Sequence, residues 1–404
     1  MLRPDTFALT ALLALITALA PVATDMYLPS LPDIGRALSA SPSQVQLTLS
    51  AYLIGFACGQ IAYGPFSDRH GRKPVLLIAL GLFSLANVAC TLAPSIEMLI
   101  AARALQALGG SGAIVVVRAI VRDLYAGTRA GRELSLMGSI MALAPIVAPL
   151  VGGVLQTAFG WRANFFVALV VGLAATIIVW RTLPETLHRR AAEPISVVGM
   201  ARVYRGIVAN CCFVAYAGIV AATFAGLFAW ISGSPFVLQQ IYGLSAIGFG
   251  VTFAVCSLGF LVGTLIAANV VKRMGLSRTV GFGAMALAAG GVGMAVSLAL
   301  GATSVVWIVL TTTLYLFGMG FTMPQAMAGA LTPFPDRAGA ASSLLGFFQQ
   351  TSAALLGALV GQMLGKSAWP IAGPLAAMGC LTLFTWAVSR DAREREEKLR
   401  VEAR

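Results

Sequence analysis

Charge is scarce in this chain: only 10% of its 404 residues are Asp, Glu, Lys or Arg, while 58% are hydrophobic. Ordinary soluble domains carry about 25% charge and about 45–50% apolar residues. With a mean hydropathy of +0.88, a soluble fold could not hide this apolar surface, so the composition is that of a polytopic membrane protein. One helical span takes about 20 apolar residues, so twelve spans would use about 240 and leave little for a soluble catalytic domain. Histidine is scarcer still. The only two, His70 and His188, fall in predicted loops, which leaves an intramembrane zinc centre without ligands. The six cysteines, Cys58, Cys90, Cys211, Cys212, Cys256 and Cys380, fall in predicted spans without metal-ligand spacing and read as small core hydrophobes. A phosphate-cradling GxxxxGK[ST] loop is absent, so an ATP-driven pump would need a separate motor chain. No metal or cofactor is expected. An enzyme is disfavoured, because no nucleophile with a base stands at membrane depth.

The little charge present is lopsided, with a formal net charge of +12. In a soluble protein this would point to nucleic acid, but here the bases sort by loop. Candidate spans begin near Thr6, Gln44, Pro74, Ile96, Glu133, Trp161, Gly206, Gly248, Thr279, Thr303, Ala338 and Pro370. One set of connections holds Arg69, Arg72, Lys73, Arg122, Arg129, Arg132, Arg181, Arg189, Arg190, Arg202, Arg205, Lys272, Arg273, Arg278 and Arg337; the opposite set holds only Arg36, Arg162 and Lys366. That asymmetry places the basic loops and both termini in the cytoplasm, and no nucleic-acid partner is expected. The apolar run after Arg3 has no clear small-residue cleavage site and carries Asp25 near its end, so it reads as a retained first span rather than a signal peptide.

The longest charged connection contains PETLHRRAAEP and divides the spans six and six. The expected organisation is an N-terminal six-helix bundle over 1–183, a cytoplasmic linker over 184–205, a C-terminal six-helix bundle over 206–389 and a charged tail over 390–404. From Asp391 the tail has five acids, five bases and no apolar stripe, the pattern of a solvated cytoplasmic helix. A shift of 208 residues aligns Arg129-Ala130-Gly131 with Arg337-Ala338-Gly339, Gly110 with Gly318, Gly112 with Gly320, Gly153 with Gly361 and Gly55 with Gly263. Two repeated six-span halves are the arrangement of transporters that rock around a site at mid-membrane. A full route then lies within one chain, so a monomer suffices.

After the second span stands Gly64-Pro65-Phe66-Ser67-Asp68-Arg69-His70-Gly71-Arg72-Lys73, an acid and three bases around a tight turn. This string resembles the loop signature of the major facilitator superfamily, G-x-x-x-D-R-x-G-R-[RK], at every defining position. The resemblance implies a cytoplasmic latch: Asp68 caps a helix N-terminus of the other half in the outward-open state, and the arginines pair with an acid at the end of the fourth span, here Asp123. A carboxylate at a helix N-terminus is worth about 0.3–1 kcal/mol, enough to bias a two-state equilibrium without locking it. The corresponding loop of the second half, Lys272-Arg273-Met274-Gly275, is degenerate, so one latch is expected. The fourth span holds Arg103-Ala104-Leu105-Gln106-Ala107-Leu108-Gly109, similar to the family's R-x-x-Q-G-x-G with Ala107 in place of a glycine. The fifth holds Ala148-Pro149-Leu150-Val151-Gly152-Gly153, which resembles the G-P-x-x-G-G signature of antiporters with Ala148 in place of the leading glycine. Pro145 and Pro149 are suited to bending this helix, and Gly152 and Gly153 to close approach.

Charges within spans are costly and usually functional, and Asp25, Arg103 and Arg118 qualify. Asp25 and Arg103 share a depth near the outer side and could face one cavity. A carboxylate there is neutral when desolvated and ionised beside a cation, so rocking that changes either condition moves a proton; a permanent Asp25–Arg103 ion pair is the bland alternative. Arg118, about 22 Å further along its helix, could gate, contact substrate or simply snorkel. The segments Ala23 to Pro32 and Val117 to Tyr125 narrow the resemblance to the bicyclomycin- and chloramphenicol-resistance (Bcr/CflA) group of drug:proton antiporters. That resemblance implies an all-α fold of twelve transmembrane helices in two pseudo-symmetric six-helix bundles, and export of small antibiotics across the bacterial inner membrane against inward proton flow, with Asp25 carrying the proton. Some multidrug relatives have a second acid two turns before this aspartate; here that position is Thr17, so one proton per cycle is the simplest expectation. Substrate-cavity candidates are Tyr27, Tyr52 and Phe56 in the first half and Phe228, Trp230, Tyr315, Phe321, Gln325, Phe347 and Gln349 in the second. Any one of these aromatics can equally be helix packing or a lipid-facing belt. The competing function is transport of another small solute, such as an amino acid, sugar or siderophore.

Overall fold

The computed structural model describes residues 7–125, 127–187, 197–301, 304–365 and 367–393, and among these it gives no side-chain surroundings for 7, 127–142, 197–198 and 336. Side-chain roles for Arg129 and Arg132, and the placement of His188, Arg189, Arg190, Lys366 and the tail from 394, therefore lie outside the described residues. Helices account for nearly all of the rest, and among the described residues there is no strand. Contacts divide the chain into a unit of Met1–Ile195 with Leu244–Val251 and a unit of Ser196–Gly243 with Thr252–Arg404.

The first unit holds α1 (Phe7–Asp25), α2 (Leu31–Ala37), α3 (Pro42–His70), α4 (Arg72–Leu92), α5 (Ile96–Leu124), α6 (Gly127–Phe159) and α7 (Arg162–Thr182). Helix α1 stops at Asp25, and a short 3-10 turn over Leu28–Ser30 leads into α2. Pro29 and Pro32 each stand in the first turn of the next element, where a missing N–H costs nothing. Ser41 and Gln44 form a capping box at the start of α3, satisfying two N–H groups that the helix leaves open. At its other end Gly71 takes a φ of +104°, which only glycine adopts without strain. Helix packing is set by glycines: a methyl on Gly55 would run into the Ala104 carbonyl, and one on Gly109 would lie 2.5 Å from the Phe83 backbone nitrogen. Such close approach drives helix association in lipid, where apolar burial alone gives little.

The second unit holds α8 (Val197–Val208), α9 (Cys211–Phe236), most of α10 (Ala246–Met274), α11 (Leu276–Ala299), α12 (Val305–Leu331), α13 (Ala338–Met363) and α14 (Trp369–Val388). Gly263 of α10 abuts the Phe317 carbonyl of α12, so the two glycines related by the 208-residue shift each let a helix meet a neighbouring carbonyl.

Eleven helices among the described residues are long and apolar enough to cross a membrane, and α6 carries a shorter apolar stretch over Leu143–Phe159. Leu85, Phe159 and Phe384 stand exposed on helical faces, as lipid contact requires. Some readings need correction: the helix of the fifth span starts at Gly127 rather than near Glu133. The seventh span starts at Cys211 rather than near Gly206, because Asn210 caps it by accepting from the Phe213 N–H; Gly206 belongs to the extra helix α8. Of the six cysteines, Cys90, Cys212 and Cys256 are buried, but Cys58, Cys211 and Cys380 are exposed, because their helical positions face outward.

Candidate functional site

Arg103 is completely buried on α5. Its guanidinium lies 4.7 Å from the centre of the Tyr27 ring and 4.2 Å from that of Tyr52, with Phe165 at 5.9 Å. A planar, weakly hydrated cation suits such a stack better than an ammonium would. Nη1 donates to the Ala23 carbonyl at 3.2 Å and to Gln106 Oε1; the amide of Gln106 donates to Asn87 Oδ1 at 2.6 Å, and Asn87 to the Phe83 carbonyl at 2.8 Å. Tyr27 and Tyr52 are themselves held, by Thr48 Oγ1 at 2.6 Å and the Ala20 carbonyl at 3.0 Å. Among the described residues, Nε and Nη2 of Arg103 have no hydrogen-bond partner.

Asp25 is buried at the C-terminal end of α1, two residues from the carbonyl that Arg103 grips. The ion pairs among the described residues are Arg36–Asp33, Arg72–Asp68 and Arg72–Asp123, so Asp25 and Arg103 are not within 4.0 Å in this state. Asp25 and Arg103 thus form no salt bridge in this state, although both are buried and Arg103 reaches the Ala23 carbonyl near the end of α1. Thr17 is buried and bonds the Leu13 carbonyl of its own helix at 2.8 Å.

At the other end of the unit, Arg72 gathers the loop cluster. Nε donates to Asp123 Oδ2 at 2.8 Å, and Nη1 to Ser67 Oγ at 2.8 Å and to Asp68. Asp68 is therefore engaged within its own unit. The N-terminus capped here is that of α4, and Glu185 caps it: Oε1 accepts from the Arg72 N–H at 2.9 Å and Oε2 from the Lys73 N–H at 3.3 Å. Glu185 also accepts from the Thr186 and Leu187 N–H groups at 3.0 Å, and Lys73 Nζ reaches the Trp180 carbonyl at 2.9 Å. Arg69 is exposed, and a methyl on Gly64 would meet nothing within 4 Å. Sequence reasoning read Glu185 only as part of a linker; its signal was an acid placed directly after a span.

In α6, Pro145 and Pro149 lie inside an unbroken helix, and a methyl on Gly152 would strike the Met26 carbonyl just after α1. The equivalent methyl on Gly153 would come 2.6 Å from the Ala246 carbonyl, in the Leu244–Val251 segment of the same unit. Arg118 is half-buried on α5 and makes no ion pair among the described residues. Of the cavity candidates, Tyr27, Tyr52, Phe56, Phe228, Trp230, Tyr315 and Phe321 are buried, and Gln325, Phe347 and Gln349 half-buried. Tyr27 and Tyr52 both lie against Arg103, and Trp230 stacks on Phe253 with centroids 6.2 Å apart.

Eleven membrane-length apolar helices among the described residues, with Asp25 and Arg103 buried within two of them, fit a multi-pass membrane transporter. The chain belongs to the Major Facilitator Superfamily, whose profile it matches over residues 13–358. It is 29% identical over 408 residues to the bicyclomycin resistance protein homolog of Haemophilus influenzae, covering 97% of this chain and 99% of that one. It is 31% identical over 381 residues to the chloramphenicol resistance protein of Pseudomonas aeruginosa, covering 94% and 88%. The crystal structure of a D-xylose-proton symporter shares the fold, with a TM-score of 0.77 over 95% of this chain and 97% of that one at 16% identity.

Proposed function

We propose that the chain exports small antibiotics of the chloramphenicol or bicyclomycin kind in exchange for protons, by alternating access of two six-helix bundles in the bacterial inner membrane. Both termini and the basic loops face the cytoplasm on this reading, a monomer suffices, and the proton gradient is the driving force. The observation that carries it is Asp25 buried at the end of α1 beside an Arg103 that it does not touch. A carboxylate whose surroundings alternate between dry and wet or cation-facing can take up a proton and give it back. Exchange requires that drug and proton travel in opposite half-cycles, so a conformational change that alters the surroundings of Asp25 would couple the two. The names of the two resistance relatives support the substrate class. A cytoplasmic latch to the other half rests on the loop signature from Gly64 to Lys73, whose Asp68 and Arg72 are here held with Asp123 and Glu185 within the first unit. The half-buried Gln325, Phe347 and Gln349 remain the accessible polar and aromatic candidates for substrate contact, and Arg118 for gating.

Proton flux in proteoliposomes with an imposed pH gradient tests this directly. Adding chloramphenicol or bicyclomycin triggers proton movement in the wild type, and Asp25→Asn abolishes it. Unchanged coupling in the variant makes Asp25 structural, and no drug-linked flux in the wild type moves the substrate to another small solute.

A further inference from the structure

The chain continues past α14 in a helical turn over residues 390–393, whose Arg393 is only 3% exposed. Arg390 and Asp391 are exposed, as the reading of a solvated tail expects, but Arg393 turns inward. Arg393 Nη1 donates to Ser389 Oγ at 2.6 Å and Nε to Ser277 Oγ of α11 at 3.2 Å. Its guanidinium lies 5.5 Å from the Trp386 ring of α14 and 5.9 Å from the Tyr216 ring of α9. Trp386 in turn donates to the Ser277 carbonyl at 2.9 Å. Tyr216 fills a notch on α12, where a methyl on Gly329 would come 2.6 Å from the ring. One turn nearer the end, Phe213 meets Phe334 edge to face at 6.0 Å. A buried cation costs free energy unless its donors and charge are matched, so a tail residue held this way has a defined place.

From these contacts we infer that Arg393 is a positioning residue for the transport cycle: it clamps together the ends of α9, α11 and α14, and through Tyr216 that of α12, on the side where the chain leaves the second unit. Separation of α9 from α12 at this end lifts Tyr216 out of the Gly329 notch and takes the ring away from the guanidinium. Arg393 therefore sets how readily this end opens, without touching substrate. The inference rests on the transporter reading for its consequence, and on geometry alone for the clamp.

Cys212, buried one turn before Tyr216, is a native reporter of that opening. In the full chain in proteoliposomes, with the exposed Cys58, Cys211 and Cys380 replaced by serine, labelling of Cys212 by a water-soluble maleimide is measured. Arg393→Gln is expected to speed labelling about tenfold, the scale of a desolvated cation–π contact and two hydrogen bonds. Tyr216→Leu does the same, Arg393→Lys falls between, and a chain ended after Arg393 matches full length. Turnover of drug-linked flux changes in Arg393→Gln while KM stays constant. Labelling of Arg393→Gln at the parent rate overturns the clamp, as does an equal effect from ending the chain after Arg393. Should Arg393→Gln not fold, Ser277→Ala, which removes only the Nε contact, is expected to raise labelling about threefold, and no change overturns it. Absence of drug flux together with a responsive Cys212 upholds the clamp and sinks only the substrate assignment.

Discussion

Arg103 shows how one residue type is demanded by its surroundings. Its plane lies near two tyrosine rings while one edge reaches a carbonyl and an amide; an ammonium can match the charge but not the plane. Arg103→Lys is expected to lose about 1–2 kcal/mol of stacking in this desolvated site and to cut drug-linked proton flux at least tenfold, read in the proteoliposome assay beside its thermal midpoint. Two glycines of one motif behave oppositely. Gly71 has a φ of +104° and a methyl there would sit 2.5 Å from Glu185 Oε2, so Gly71→Ala lowers the thermal midpoint, at about 1–2 kcal/mol for the backbone alone. Gly64 lies within α3 with open space around it, so Gly64→Ala leaves the midpoint unchanged or raises it by up to about 1 kcal/mol of helix propensity. Both were legible as motif letters. Their different physical reasons were not, because φ and the approach of Glu185 depend on chain from beyond α7.

Helices were the most legible level. Apolar runs of membrane length announce themselves, and starts near Ile96 and Ala338 agree with the observed helices. Helix α8 was missed because its apolar residues alternate with Arg202 and Arg205 and make no continuous run. Where helices cross, the decisive groups are backbone atoms that no side-chain pattern reports. Gly152→Val should disrupt the approach of α6 to the Met26 carbonyl and reduce folded protein recovered from membranes, since small residues are what allow such crossings; recovery equal to wild type would show that the crossing can yield. Ser41→Ala removes one side of the α3 capping box and should cost about 1 kcal/mol.

For the whole molecule, the placement of bases predicts orientation: a fluorescent protein fused after Arg404 is bright and a phosphatase fused there inactive, as for a cytoplasmic end. The opposite pair of readings would invert the topology and move the Arg72 cluster to the outer side. Composition alone, with 10% charge and 58% hydrophobic residues, determined that this is a many-span membrane protein, since water cannot solvate such a surface. The spacing of Asp68, Gly71 and Arg72 and the isolated Asp25 and Arg103 named the residues of interest, because charge in or beside a span is rare enough to be read singly. Only the tertiary structure decided the partners. That Asp25 and Arg103 stand apart, that Glu185 caps α4 and that Arg393 turns inward are facts of distance between segments far apart in the chain, and hydropathy carries no information about distance.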